Sequence, residues 1–121
     1  MSDYISAFFE AWQIEDPKAR LEKITSAVTE AIQYDDPRTS DTIQGINTLS
    51  DYVGMFSANA PGWAAKVVAS DTSNGMTRST VAFSGIGPDG SEQTQYGQYF
   101  VEQENGLISR MVGFVGVGKL E

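Results

Sequence analysis

Cysteine and histidine are both absent from the 121-residue chain. Without a thiol there are no disulfides, no thiolate nucleophile and no thiolate zinc site. Without an imidazole there is no Ser-His-Asp triad, no histidine general base and none of the usual transition-metal ligand sets. Bases are scarce as well. Eight Lys and Arg against sixteen Asp and Glu leave a net charge of −8, and no basic cluster forms, which argues against nucleic acid and anionic membranes as partners. No apolar run approaches the roughly 20 residues of a membrane helix. The opening Met1-Ser2-Asp3 lacks the basic and apolar regions of a signal peptide, so the expectation is a cytoplasmic protein. What is present is 40% hydrophobic residues, enough for one domain over residues 1–121 and too few residues for two.

The first half carries helical periodicity. Ile5, Phe8, Phe9 and Trp12 fall at i, i+3, i+4 and i+7, one apolar stripe on a helix beginning near Asp3. Asp16 followed by Pro17 is an N-cap and a first-turn proline, and Leu21, Ile24 and Val28 continue that second helix. Glu30 to Tyr34 reads as a short strand with Ile32 and Tyr34 on one side, ended by Asp35-Asp36-Pro37. A third helix opens at Gly45 and Ile46, repeats Leu49, Tyr52, Val53 and Phe56, and stops at Ala60-Pro61-Gly62.

The second half carries turn chemistry. Asn74-Gly75, Pro88-Asp89-Gly90 and Asn105-Gly106 are hairpin signals, because the central residues of these turns must tolerate positive φ. Four strands lie between and around them, near 64–73, 76–86, 92–103 and 107–117, in an antiparallel meander. A two-residue loop at Asn74-Gly75 puts Asp71 opposite Arg78 as a cross-strand ion pair. One at Asn105-Gly106 puts Gln98 opposite Gly113 and Phe100 opposite Met111. One sheet face then holds Val68, Val81, Phe83, Tyr96, Gln98, Phe100, Met111 and Val115. The other holds Val67, Ala82, Tyr99, Val101, Val112 and Phe114. A sheet with one wet face alternates apolar and polar residues; two apolar faces call for two covers, the helices on one and a second copy of the chain on the other. The expected assembly is a homodimer through the face carrying Tyr99, Val101, Val112 and Phe114.

Three helices, a short strand and a long meander, with Asp35-Asp36-Pro37, Gly45 opening the third helix, Gly87-Pro88-Asp89-Gly90, Gly97-Gln98-Tyr99-Phe100 and Asn105-Gly106-Leu107-Ile108 as landmarks, resemble the nuclear transport factor 2-like superfamily. The resemblance is to the branch of SnoaL-like polyketide cyclases and ketosteroid isomerase. It spans nearly the whole chain and implies an α+β cone, three N-terminal helices packed on a curved antiparallel meander sheet. In ketosteroid isomerase an acid-Pro step after the first strand supplies the aspartate base, and Asp36 before Pro37 matches it. The isomerase's oxyanion-donating aspartate on the third meander strand falls at Gln98, counting back from Asn105-Gly106. Its tyrosine donor on the first helix falls near Phe8 or Phe9, neither of which can donate. The pattern is therefore not that of a faithful steroid isomerase. The histidine-dependent dehydratases of the fold are excluded by the missing histidine. The epoxide hydrolases use an Arg-x-Asp step, and here Arg78 is followed two residues later by Thr80.

The functional expectation is a SnoaL-like small-molecule enzyme that moves a proton on an apolar carbonyl compound in a cone-shaped pocket, of isomerase or cyclase type. The alternatives are a non-catalytic binder of a small apolar ligand and a protein-interaction module on the same fold. Burial of an aspartate at the mouth of an apolar cone favours its protonated form and suits it to act as a base. A neutral donor opposite it stabilises the developing enolate. The candidate catalytic residues are Asp36 as base with Gln98 and Tyr96 as donors. Tyr34 would orient the carboxylate or the ligand, and Phe8, Trp12, Phe56, Phe83, Phe100, Met111 and Val115 would line the wall. No metal or other cofactor is implied, since fixed side chains suffice for proton transfer. Each feature also has a plain reading. Asp-Pro after a strand is a common turn initiator whose carboxylate caps backbone N–H groups, Gln98 beside Tyr96 can be a satisfied polar pair, and the aromatic residues are core by default. Gly113 to Lys119 resembles a phosphate loop but lacks the Ser/Thr and the following helix.

Overall fold

The computed structural model describes residues 4–116 of the chain. Helix α1 (Tyr4–Glu10) runs directly into a 3₁₀ turn, Ala11–Gln13. The apolar stripe continues across the junction, so Ile5, Phe8, Phe9 and Trp12 are all buried. Helix α2 (Pro17–Thr25) starts as its cap dictates: the Asp16 carboxylate accepts a 2.9 Å hydrogen bond from the Ala19 N–H, which satisfies one of the donors a helix start leaves unpaired. Helix α3 (Ile46–Asn59) begins after Gly45 at φ 91° and ends ahead of Pro61. Among the described residues no helix is long and apolar enough to cross a membrane.

Six strands form one sheet: β1 (Val28–Asp35), β2 (Ile43–Gln44), β3 (Ala64–Ser73), β4 (Met76–Ile86), β5 (Glu92–Glu104) and β6 (Leu107–Val115). Their order is β2-β1-β6-β5-β4-β3. The last four pair sequentially and antiparallel, and both Asn-Gly turns have the expected positive φ at both central residues. Three features depart from the sequence expectation. β1 joins the meander in parallel, alongside β6, so the sheet is mixed rather than wholly antiparallel. The two-residue β2 pairs with β1 and is too short for its periodicity to be visible. The expected strand end at Val117 lies outside the described residues.

The third departure matters most for the site. β5 and β6 leave the Asn105-Gly106 turn in the expected register, Glu104 opposite Leu107 and Gln103 opposite Ile108, but the next pair is Glu102 with Arg110. Ser109 is the extra residue of a β-bulge, and its hydroxyl donates to the Glu102 carbonyl at 3.0 Å. Beyond it Tyr99, not Gln98, lies opposite Gly113, and Val101, not Phe100, lies opposite Met111. Because side chains alternate with a period of two, a slip of one residue exchanges the two faces. The β4–β5 register agrees: Val81 lies opposite Gly97 and Thr80 opposite Gln98. The helix-covered face therefore carries Val67, Val81, Phe83, Tyr99, Val101 and Met111, with Phe9 reaching the Tyr99 ring at 4.8 Å between centroids. The outer face carries Ala82, Tyr96, Gln98, Phe100, Val112 and Phe114. Opposite charges meet on it in two places: Arg78 pairs with Asp71 at 2.8 Å, as the register requires, and Arg110 stands opposite Glu102.

One buried cation fastens the helical layer. Arg20, 7% exposed, donates from Nε to the Ile14 carbonyl at 3.0 Å and from Nη2 to the Glu15 carbonyl at 2.9 Å. Its guanidinium lies against Gly54 of α3, where an added Cβ would overlap Nη1. The G54A substitution should force the guanidinium off its carbonyls and cost about 1–3 kcal/mol, the usual range for overpacking a tight contact. Urea unfolding at unchanged m-value is the measurement, with S57A on the same helix as the comparison; an unchanged midpoint for G54A would contradict this account.

Candidate functional site

β1 ends at Asp35, and the following Asp36-Pro37-Arg38-Thr39 forms a tight turn. Asp36 Oδ1 accepts from the Arg38 N–H at 2.8 Å, and its backbone N–H and carbonyl both engage the Thr39 hydroxyl, at 3.1 and 3.0 Å. The turn-capping reading of this aspartate thus describes part of its geometry. The remainder faces the interior. Tyr34, two residues earlier on the same strand face, donates its hydroxyl to Asp36 Oδ2 at 2.7 Å. Tyr52, from the middle of α3, donates to the same carboxylate at 2.6 Å from Oδ2 and 2.7 Å from Oδ1. Tyr99, from β5, stands close enough to Tyr34 for that phenol to offset part of the rise that burial gives its pKa. Two phenols, from β1 and α3, thus share one carboxylate.

Asp36 borders a cavity of about 500 Å³ whose wall includes Trp12, Tyr52, Phe56, Trp63, Phe83 and Tyr99. Trp12 stands between the cavity and the core. Its ring centroid is 5.1 Å from Phe56 and 5.8 Å from Phe83, both edge-on, the arrangement the quadrupoles of aromatic rings prefer. Its Nε1 is buried without a hydrogen-bond partner among the described residues. Gly113 makes room for Tyr99: a Cβ there would overlap the Tyr99 ring. Trp63 lies with its ring against Gly85 in the same manner, the Cβ position falling 2.5 Å from three of its ring atoms. Arg38, Asn59 and Gln95 are exposed on the cavity's border.

Of the candidate residues read from the sequence, Asp36, Tyr96, Trp12, Phe56, Phe83 and Val115 border this cavity. Tyr34 is fully buried beneath it and reaches the Asp36 carboxylate directly. Phe8 and Met111 are closed into the core at 1% exposure each. Gln98 and Phe100 are corrected by the Ser109 bulge: both sit on the outer face, where Phe100 packs edge-on against Phe114 at 5.7 Å. The position that counting back assigned to Gln98 is taken by Tyr99. Tyr52, Tyr99 and Arg38 were not among the candidates. Tyr52 reads as one more member of the α3 stripe, and nothing local distinguishes it. Tyr99 did leave a trace, since Gly97, two residues earlier on β5, and Gly113, opposite it on β6, leave room for a large ring.

The phenols are held neutral. Burial pushes Tyr34 well above the ordinary tyrosine range, with the neighbouring Tyr99 and Asp36 adding to it. Burial and then the hydrogen bond to Asp36 raise Tyr52, and burial pushes Tyr99 up to about 12. The folded state therefore prefers the protonated phenols. That preference contributes its full stability below the ordinary tyrosine pKa of about 10 and loses it as pH rises past that value. In an alkaline titration, tyrosinate absorbance from these three residues should rise together with the loss of near-ultraviolet circular dichroism. Their ionisation near pH 10 in a protein that stays folded would contradict this assignment.

No protein-family model and no curated protein matches the sequence. Solved structures do match its fold. A proposed isomerase of the SnoaL-like family from Agrobacterium tumefaciens superposes with a TM-score of 0.78 at 23% identity, covering 94% of this chain and 95% of that one. A protein with a ketosteroid isomerase-like fold from Catenulispora acidiphila, solved in complex with trimethylamine, gives 0.76 at 11% identity, covering 97% and 88%. A proposed SnoaL-like polyketide cyclase from Jannaschia gives 0.72 at 13%, covering 91% and 80%. Three helices, a mixed curved sheet and these likenesses agree: the chain has the nuclear transport factor 2-like fold, as SnoaL-like and ketosteroid isomerase-like proteins do.

Proposed function

We propose that the chain is a small-molecule enzyme that moves a proton on a carbonyl compound held in the aromatic cavity, with Asp36 as the base. The observation that carries this reading is the Asp36 carboxylate itself: it borders a cavity of about 500 Å³ and is oriented there by Tyr34 and Tyr52. Asp36 removes a proton from the carbon next to the carbonyl, and the negative charge passes from the carboxylate to the enolate oxygen. At that moment the protonated Asp36 becomes a poorer acceptor and the enolate a better one. Tyr52 borders the cavity and stays neutral, so its hydroxyl can turn from the one to the other without ionising. It takes the role that the sequence assigned to Gln98, while Tyr96 stands only at the cavity's rim. Isomerisation follows when Asp36 returns the proton at another carbon; cyclisation follows when the enolate carbon attacks an electrophilic carbon of the same molecule.

A non-catalytic binder is the second reading, favoured by the same hydrogen bonds: two phenols and the Arg38 N–H would satisfy a carboxylate that has no chemistry to perform. An interaction module calls for a filled cone, and the cavity speaks against it. The substrate is best sought by mass spectrometry of small molecules that purify with the protein. With it in hand, D36N should lower kcat by about 10²–10⁴, the usual contribution of a general base, in a variant whose circular dichroism shows the fold intact. Y52F should lower kcat and keep KM. If D36N turns over normally and only loses stability, Asp36 is a turn cap and not the base.

We propose further that two copies associate through the outer sheet face. Tyr99 and Val101, expected there from the sequence, are covered by the helices. The corrected patch is Ala82, Tyr96, Phe100, Val112 and Phe114, of which Tyr96 and Phe114 are exposed. Sedimentation at micromolar concentration should give twice the 13.1 kDa of one chain, and V112E should return it to one copy; a monomer at the outset would refute the proposal.

A further inference from the structure

The geometry points to a ligand that carries a protonated or quaternary amine. The inference rests on the cavity being the ligand site and not on Asp36 taking a proton. Both tryptophans of the chain, three of its five tyrosines and three of its six phenylalanines border this one cavity. The faces of such rings carry negative charge density and attract cations, tryptophan most strongly. Trp63 presents a ring of this kind. Its indole lies against Gly85 through one face, so the face left for a ligand is the opposite one.

Among the described residues Asp36 is the only carboxylate on the cavity border, and the hydroxyl protons of Tyr34 and Tyr52 are committed to it. A neutral acceptor can meet donors elsewhere on the border, such as Trp12 Nε1 and Gln95, but only a cation gains from the carboxylate and the ring faces together. The attraction is to the carboxylate's charge, so a quaternary amine needs no hydrogen bond to benefit from it. The chain's net charge of −8 adds a field that concentrates cations near the molecule. Arg38 opposes them. It borders the cavity two residues from Asp36, but its side chain is exposed and its charge is therefore screened by water.

The test uses the full chain and a pair of probes of nearly equal shape, choline and its uncharged analogue 3,3-dimethyl-1-butanol, in isothermal titration calorimetry at about 0.05 M salt. Choline should bind at least about tenfold more tightly than the alcohol. D36N should remove that preference while circular dichroism stays unchanged, and W63A should weaken choline more than the alcohol. R38Q should tighten choline by severalfold, an outcome that a merely misfolded variant does not produce, and raising the salt to about 0.5 M should weaken it. Equal binding of the two probes, or no binding of choline, overturns the inference. Either result leaves the proton-transfer reading to stand or fall on the turnover of D36N, and loss of turnover dependence on Asp36 leaves the charge preference intact.

Discussion

The extra residue at Ser109 sets the phase of β6 against β5, and the identity of the cavity wall follows from it. β6 is held on its other side by β1, with Tyr34 opposite Met111, so its phase relative to the helices is anchored there. β5 must then turn Gly97, Tyr99 and Val101 inward. Tyr99 can occupy that place because Gly113 beside it has no side chain. With the phase reversed, Gln98 and Phe100 would face the helices, and Tyr99 would leave the cavity wall for the outer face. A bulge at this position is a small backbone irregularity with a large effect, because alternation carries it along the rest of the strand.

Asp36 shows how one residue serves the fold and the site together. Its bond to the Arg38 N–H closes the turn after β1, while the bonds from Tyr34 and Tyr52 tie that turn to the core and to α3. A turn cap and a functional carboxylate need not compete, since a carboxylate has enough lone pairs for both. The same arrangement explains how the cavity keeps its polar group in a fixed place. The hydrogen bonds come from three separate elements, so no single side-chain rotation releases the carboxylate, and orientation of this kind is what a binding or reacting group requires.

The helices, the turns and the candidate base were legible because each depends on residues close together in sequence. The stripe from Ile5 to Trp12, the Asp16-Pro17 start and the Asn-Gly turns are local signals, and Asp36 follows from its place between a strand and a proline. The faces of the sheet were not legible, because the register they depend on was counted from a turn and one bulge upsets the count. Asp71 and Arg78 were placed correctly since they lie on the turn side of the β3 irregularity near Val67–Ala69, while Gln98 and Phe100 lie beyond the one at Ser109. Tyr52 could not be singled out for a different reason. Its meeting with Asp36 is a tertiary contact across sixteen residues, and a tyrosine in an apolar stripe looks the same whether its hydroxyl meets water or a carboxylate.

The ion pairs of the outer face have an electrical consequence. Asp71 with Arg78 and Glu102 opposite Arg110 set opposite charges side by side on neighbouring strands, and on the helical layer Glu10 pairs with Lys23 at 2.9 Å. At a distance such a pair acts as a dipole, whose field falls off faster than that of a single charge, and salt shortens it further, with a Debye length of about 8 Å at physiological ionic strength. A second copy approaching the sheet therefore meets little long-range repulsion from these residues, and its fate is decided at contact by the apolar side chains.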